Sequence, residues 1–161
     1  MNTRNAVAVS SVITVGIFAS VLFAAALAIS PSLALLDGSN FTLVKQAQIR
    51  ILQVAMSSIS TVYTVLAIWL LVLERANRRG SVFKLTLGAL VLVIGALLYS
   101  AVTDIPYNGQ ILSWNPAAPP PAWASVRDAW DFANRVRTVP ALLGFVLQTI
   151  ALRCLEPARP A

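Results

Sequence analysis

The chain has 161 residues, a net charge of +6 and no histidine, with 58% of its residues hydrophobic and only 11% charged. Soluble domains carry about 25% charged residues, and a chain this short cannot bury so much apolar surface by itself, so the bilayer must act as its solvent. The single Cys154 excludes an internal disulfide and a thiolate cluster. Without histidine, the usual nitrogen ligands of zinc, haem and non-haem iron are missing, so neither a metal site nor a cofactor is expected.

Four apolar segments follow one another, at about residues 6–29, 51–73, 85–102 and 139–155. Each approaches the ~17–25 residues that cross the hydrocarbon as a helix. Arg4 ahead of the first run, with small residues after it, resembles a signal peptide. The run exceeds the ~7–15 residues of a signal core, however, and reads as a retained helix. The expected fold is an all-α integral membrane protein, one antiparallel four-helix transmembrane bundle with a long outer segment, residues 103–138, between the third and fourth helices.

In the second segment, Gln46, Arg50, Gln53, Ser57, Ser60 and Thr64 recur at steps of four and three, one face of a helix. Unpaired polar groups in hydrocarbon cost several kcal/mol, so this face should point into the bundle. The hydroxyls suit close helix packing, whereas Arg50 either enters the bundle mouth or snorkels to the headgroups.

The loop after it, ERANRRGSVFK, holds Arg75, Arg78, Arg79 and Lys84. With Arg4, Arg153 and Arg159 against Glu74 and Glu156, that side carries +5 and the other +1, which together make the +6. The positive-inside bias then places both termini in the cytoplasm, in a bacterial inner membrane if the source is bacterial. The asymmetry explains the charge by topology, and no nucleic-acid partner is expected.

The third segment offers Gly88, Gly95, Tyr99 and Thr103 on one face, with Asp104 just beyond. In TDIPYNGQILSW, Pro106 should stop this helix and Asn108-Gly109 should turn the chain. NPAAPPPAW reads as an extended, proline-rich piece. WASVRDAWDFANRVRT then reads as helix, with Trp123, Val126 and Trp130 at i, i+3 and i+7, running on into the fourth segment. Trp114, Trp123 and Trp130 suit an interfacial belt or a lid. Asn134, Arg137, Ala141, Gly144 and Gln148 share an inward face, where Gln148 needs pairing.

Three inward faces thus turn polar at one end. Asp104 should pair with Arg137 or Arg50. The group either only holds the mouth together, or Asp104, Asn108, Arg50, Asn134 and Arg137 line a pocket under the tryptophan lid, with Gln53 and Trp130 as further ligand contacts.

DIPYN followed by tryptophan, and then WxxxNRVRT, resemble the membrane family DUF1772, which includes the anthrone oxygenases. Its pattern, P-x-N, a tryptophan and then W-x-x-x-N-H-x-R-T, is met by Pro106, Asn108, Trp130, Asn134, Arg137 and Thr138. Gly16, Phe18, Pro31-Ser32-Leu33, Phe41 and Gln46 also look like the family. Arg135 stands where the family has its histidine, and an arginine cannot act as a base at ordinary pH. The resemblance implies oxidation of anthrones to anthraquinones without metal or flavin. A base would remove a proton beside the ring carbonyl, and the carbanion would react with dioxygen. Asp104 would be the base, and Arg50 or Arg137 would stabilise the oxyanion.

Three functions remain open: such an enzyme or a relative binding a hydrophobic aromatic or quinone-like molecule; a non-catalytic subunit packed against membrane-protein partners; and a small transporter. The last is disfavoured by the lack of broken helices and of charge near the midplane. Surrounding membrane lipid is a partner in every case.

The charge asymmetry predicts that, in a Cys154→Ser background, cysteine placed at Ser81 reacts with impermeant reagent only from the cytoplasmic side. Cysteine at Ala118 should react only from outside. The reverse pattern refutes the topology.

Overall fold

The computed structural model describes residues 2–155, so Glu156 and Arg159 of the charge balance lie outside the described residues. The described residues are 86% helical and include no strands. In chain order, α1 (Thr3–Ala24) runs through a π-helical turn (Ala25–Ile29) into α2 (Ser30–Ala34). α3 (Gly38–Leu73), α4 (Ser81–Val102), α5 (Asp104–Leu112) and α6 (Trp123–Arg153) follow. Four rods, Thr3–Ala34, Gly38–Leu73, Ser81–Leu112 and Trp123–Arg153, are each long and apolar enough to cross a membrane. The chain is an all-α four-helix bundle and an integral membrane protein.

Around the bundle, α6 packs closely against α4 and α1, and α1 against α3, while α3 meets α4 and α5 more loosely. The weak seam between α3 and α4–α5 matters for the site. Small residues allow the tightest seam. At Gly144, an added Cβ would stand 3.0 Å from Val93 Cγ2 and 3.3 Å from the Ala89 carbonyl oxygen. The inward face of α4 is Val82, Thr86, Ala89, Val93, Ala96 and Ser100. The expected glycine face is not the buried one, for Gly95 is exposed and has open space beside it.

Apolar packing comes in three layers. Val15, Phe18, Ala19, Leu22, Tyr63, Ala67, Val93 and Ala141 form the middle core. Val7, Ala8 and Leu70 close one end, where the Arg4 guanidinium pairs with the buried Glu74 carboxylate. Leu33, Phe41, Ile49 and Ile111, with Trp114, Trp123 and Val126 against them, form a cap at the other end. The Phe41 and Trp123 rings lie 5.7 Å apart there.

At 36 residues and ~1.5 Å per residue, α3 is far longer than the hydrocarbon is thick. Its first turns belong to the cap. The loop before it is only three residues, 35–37, although the apolar runs on either side end at about 29 and begin at about 51. The exposed Asp37 caps α3 by accepting from the Ser39 and Asn40 N–H groups, each at 3.0 Å. The Asn40 backbone and side-chain donors hold its carboxyl below the usual range. Gly38 is required beside it, because an added Cβ would meet Trp123 Nε1 at 2.8 Å and Pro119 Cγ at 3.0 Å.

Residues 104–112 are helical, which corrects the loop and Asn108-Gly109 turn expected there. Pro106 does not end the third rod. It is the third residue of a new helix, where its missing N–H would have had no intrahelical partner. The break falls at Thr103 (φ −121°, ψ −72°), whose hydroxyl donates to the Tyr99 carbonyl at 2.7 Å. The non-helical part of the outer segment is thereby reduced to residues 113–122.

Gly144→Leu is expected to destabilise the bundle by roughly 1–3 kcal/mol through overpacking against α4. Gly95→Leu, which meets nothing, should not lower stability. Melting temperatures in detergent check the pair, and equal melting for both variants refutes the close seam.

Candidate functional site

The cap and the middle core leave a cavity of about 160 Å³ between them, lined from every rod. α1 and the π-turn contribute Phe18, Leu22, Ala25 and Ile29, and α3 contributes Lys45, Ile49, Gln53, Met56, Ser57 and Ser60. Ser100 comes from α4, Asp104, Ile105 and Asn108 from α5, and Trp130, Asn134 and Arg137 from α6. Gln53, Ser57 and Ile105 are exposed, so the cavity opens along the weak α3–α5 seam.

The polar centre is built on Arg137. Its Nη1 lies 3.5 Å from Asp104 Oδ2 and donates to Ser100 Oγ at 3.0 Å. Its Nε and Nη2 donate to Asn134 Oδ1 at 3.3 and 3.0 Å. Of the two partners expected for Asp104, the structure selects Arg137. Asp104 is only 1% exposed and stands in the first turn of α5, where the helix dipole favours a carboxylate. The Thr103 hydroxyl oxygen lies 3.2 Å from its Oδ2, while Oδ1 has no partner among the described residues.

Trp130 closes one wall and is neither an interfacial belt residue nor an exposed lid. Its indole N–H donates to Asn108 Oδ1 at 2.9 Å, and its ring face receives the Lys45 ammonium 2.8 Å from the centroid. That arrangement is a desolvated cation–π contact. Lys45 is 2% exposed and makes no ion pair among the described residues. Sequence reasoning missed it, counting it only in the charge balance of the outer side. Its signal was position, since Lys45 falls one turn from both Phe41 and Ile49 on the buried face of α3.

The polar face of α3 turns inward only in part. Arg50, Gln53 and Ser57 are exposed, and Ser60 is buried. Arg50 lies outside the cavity, in a shallow groove with Val54, Ser58 and Leu112 that shares Ile49, Gln53 and Ser57 with the cavity rim. Gln46 turns toward the cap, where its amide donates to the Ile111 and Trp114 carbonyls at 2.9 and 3.0 Å. The site therefore assembles Asp104, Arg137, Asn108, Trp130 and Asn134 with Lys45 added. Gln53 sits at the rim and Arg50 outside.

On α6, Asn134, Ala141, Gly144 and Gln148 are buried, as their spacing requires. The Gln148 amide finds no partner among the described residues. The described residues contain no group of three or more Cys, Asp or Glu side chains placed to hold a metal ion.

Compared with known proteins, residues 41–147, two thirds of the chain, match the family model described as anthrone oxygenase. No curated protein and no solved structure matches the chain.

The buried pair predicts that Arg137→Gln and Asp104→Asn each destabilise the bundle by about 3–5 kcal/mol, less where water reaches the opening. Combining them should restore much of the loss. Detergent melting of the three variants measures it, and additive losses would show that the pair is not coupled.

Proposed function

Because the chain belongs to the anthrone oxygenase family, we propose that its cavity binds a hydrophobic aromatic, quinone-like molecule and oxygenates it without metal or flavin. The observation that carries this reading is the buried carboxylate of Asp104, a residue lining a mostly apolar cavity, whose Oδ1 has no partner among the described residues. A cavity of about 150 Å³ suffices for a benzene-sized ring, so a fused-ring substrate would extend through the α3–α5 opening into lipid. Molecules that partition into the bilayer could enter there directly.

In the proposed chemistry, Asp104 Oδ1 takes one proton from a methylene activated by a ring carbonyl, and the electron pair moves onto the carbonyl oxygen. The anion transfers electrons to dioxygen, a carbon–oxygen bond forms, and a hydroperoxide results. Loss of the second methylene proton with O–O cleavage gives a new carbonyl and one water. The substrate supplies all the electrons. Arg137 holds the Asp104 carboxylate in place and adds positive potential where the oxyanion develops. In this reading the termini are cytoplasmic and the cavity lies toward the opposite face of the membrane, the bacterial inner membrane for a bacterial chain.

A second reading rests on a different observation. Arg50, Gln53 and Ser57 are exposed on the lipid-facing side of α3, where polar groups are costly. That stripe would suit contact with a partner helix in a larger membrane complex.

Oxygen uptake by the chain in liposomes supplied with an anthrone tests the first reading. Asp104→Asn should lower the rate at least ~10²-fold, whereas Arg135→Gln, on the exposed side of α6, should leave it unchanged. Lack of uptake by the unaltered chain, together with a stoichiometric partner chain on purification, would favour the second reading.

A further inference from the structure

Charge balance within the cavity bears on what it accepts. Three ionisable side chains line it, Lys45, Asp104 and Arg137. Asp104 and Arg137 neutralise each other at 3.5 Å. Asp131 is the other carboxylate whose field reaches Lys45, but it is bound by Arg135 at 2.9 Å. By formal charge either count leaves one cation over, and Lys45 is the cavity-lining cation without a counter-ion among the described residues.

A buried cation is costly unless an anion or a set of hydrogen-bond acceptors meets it. Here the Trp130 ring face meets the ammonium at 2.8 Å, and Lys45 makes no ion pair among the described residues. Trp130 is itself fixed by Asn108, so the cation stands on a rigid platform beside the open volume. The cavity also has apolar lining, including Ile49, Ile29 and Ala25. The ligand that complements these features carries negative charge at one point and flat apolar area elsewhere.

We propose that the cavity takes its ligand as an anion, seating the ionised hydroxyl or carboxylate of an aromatic molecule against the Lys45 ammonium beside Trp130. This builds on the aromatic-ligand reading above but not on oxygenation. Lys45 is then a specificity-determining residue. It selects the ionised form of a weakly acidic aromatic over a neutral one of equal shape, because only the ionised form replaces the acceptors that burial took from the ammonium.

Calorimetric titration of the full chain in nanodiscs with 2-naphthoate, 2-naphthamide and oleate tests the proposal. Naphthoate should bind at least about tenfold more tightly than the neutral amide, as expected for a charge-assisted contact. Lys45→Met should abolish that preference while still binding the amide, which shows that the cavity is intact, and Lys45→Arg should keep it. Equal binding of naphthoate and amide by the unaltered chain, or a preference that survives in Lys45→Met, overturns the proposal. So does oleate binding as well as naphthoate, which would mean that the charge alone is read, on any apolar body. Because the readout is binding, a chain that shows the preference but consumes no oxygen keeps this inference and loses the oxygenase reading.

Discussion

A guanidinium placed among transmembrane helices must spend its donors inside the protein, and the geometry of Arg137 follows from that constraint. Its donors reach Asn134 one turn back on α6, Ser100 on α4 and Asp104 on α5. The adjoining Thr138 donates to the Asn134 carbonyl at 2.7 Å and lies 3.4 Å from the Leu22 carbonyl of α1. Five residues of α6 therefore set the positions of three other elements. The break at Thr103 belongs to the same arrangement, because it starts α5 with Asp104 beside Arg137.

The cavity exists because the cap and the bundle meet there imperfectly. Above it, Phe41, Ile111 and Trp123 pack; below it, Phe18, Tyr63 and Ala141 do. Between them, the π-turn at Ala25–Ile29 shifts the register of the first rod, and both of its end residues line the space. Such turns frequently occur beside functional sites because they widen a helix locally. α3 closes less well against α4 and α5 than against α1, and that looser seam is the opening.

The four rods were legible in the sequence because hydrophobic length is a strong signal, and the inner face of α6 was legible because its polar residues keep helical spacing. The face of α3 was misread for a definite reason. Polarity was taken to require the interior, yet serine and threonine satisfy themselves on their own helix. Thr64 of that face donates to the Ser60 carbonyl, and Ser58 and Thr61 outside it donate in the same way to the Val54 and Ser57 carbonyls. A hydroxyl bonded in this way can face lipid, so spacing alone did not orient the helix. Pro106 and Asn108-Gly109 were misread because turn chemistry and first-turn helix chemistry share residues. Lys45 escaped notice because composition counts it as charge, and only its register with Phe41 and Ile49 shows it to be buried.

The same register argument bears on Arg135, where the resembling motif carries histidine. Successive residues on a helix are rotated by about 100°, so position 135 cannot share the direction of Asn134 and lies well away from that of Arg137. The structure agrees. Arg135 is exposed and pairs with Asp131 at 2.9 Å, and it takes no part in lining the cavity. An arginine there removes no group from the cavity wall. Any base acting within this cavity must come from the face that carries Trp130, Asn134 and Arg137, or from the helices opposite. Among the cavity-lining side chains the single carboxylate is Asp104 and the single amine is Lys45. Within the cavity Asp104 is held by Arg137 and Lys45 by Trp130, while the residue at 135 pairs with Asp131 outside it.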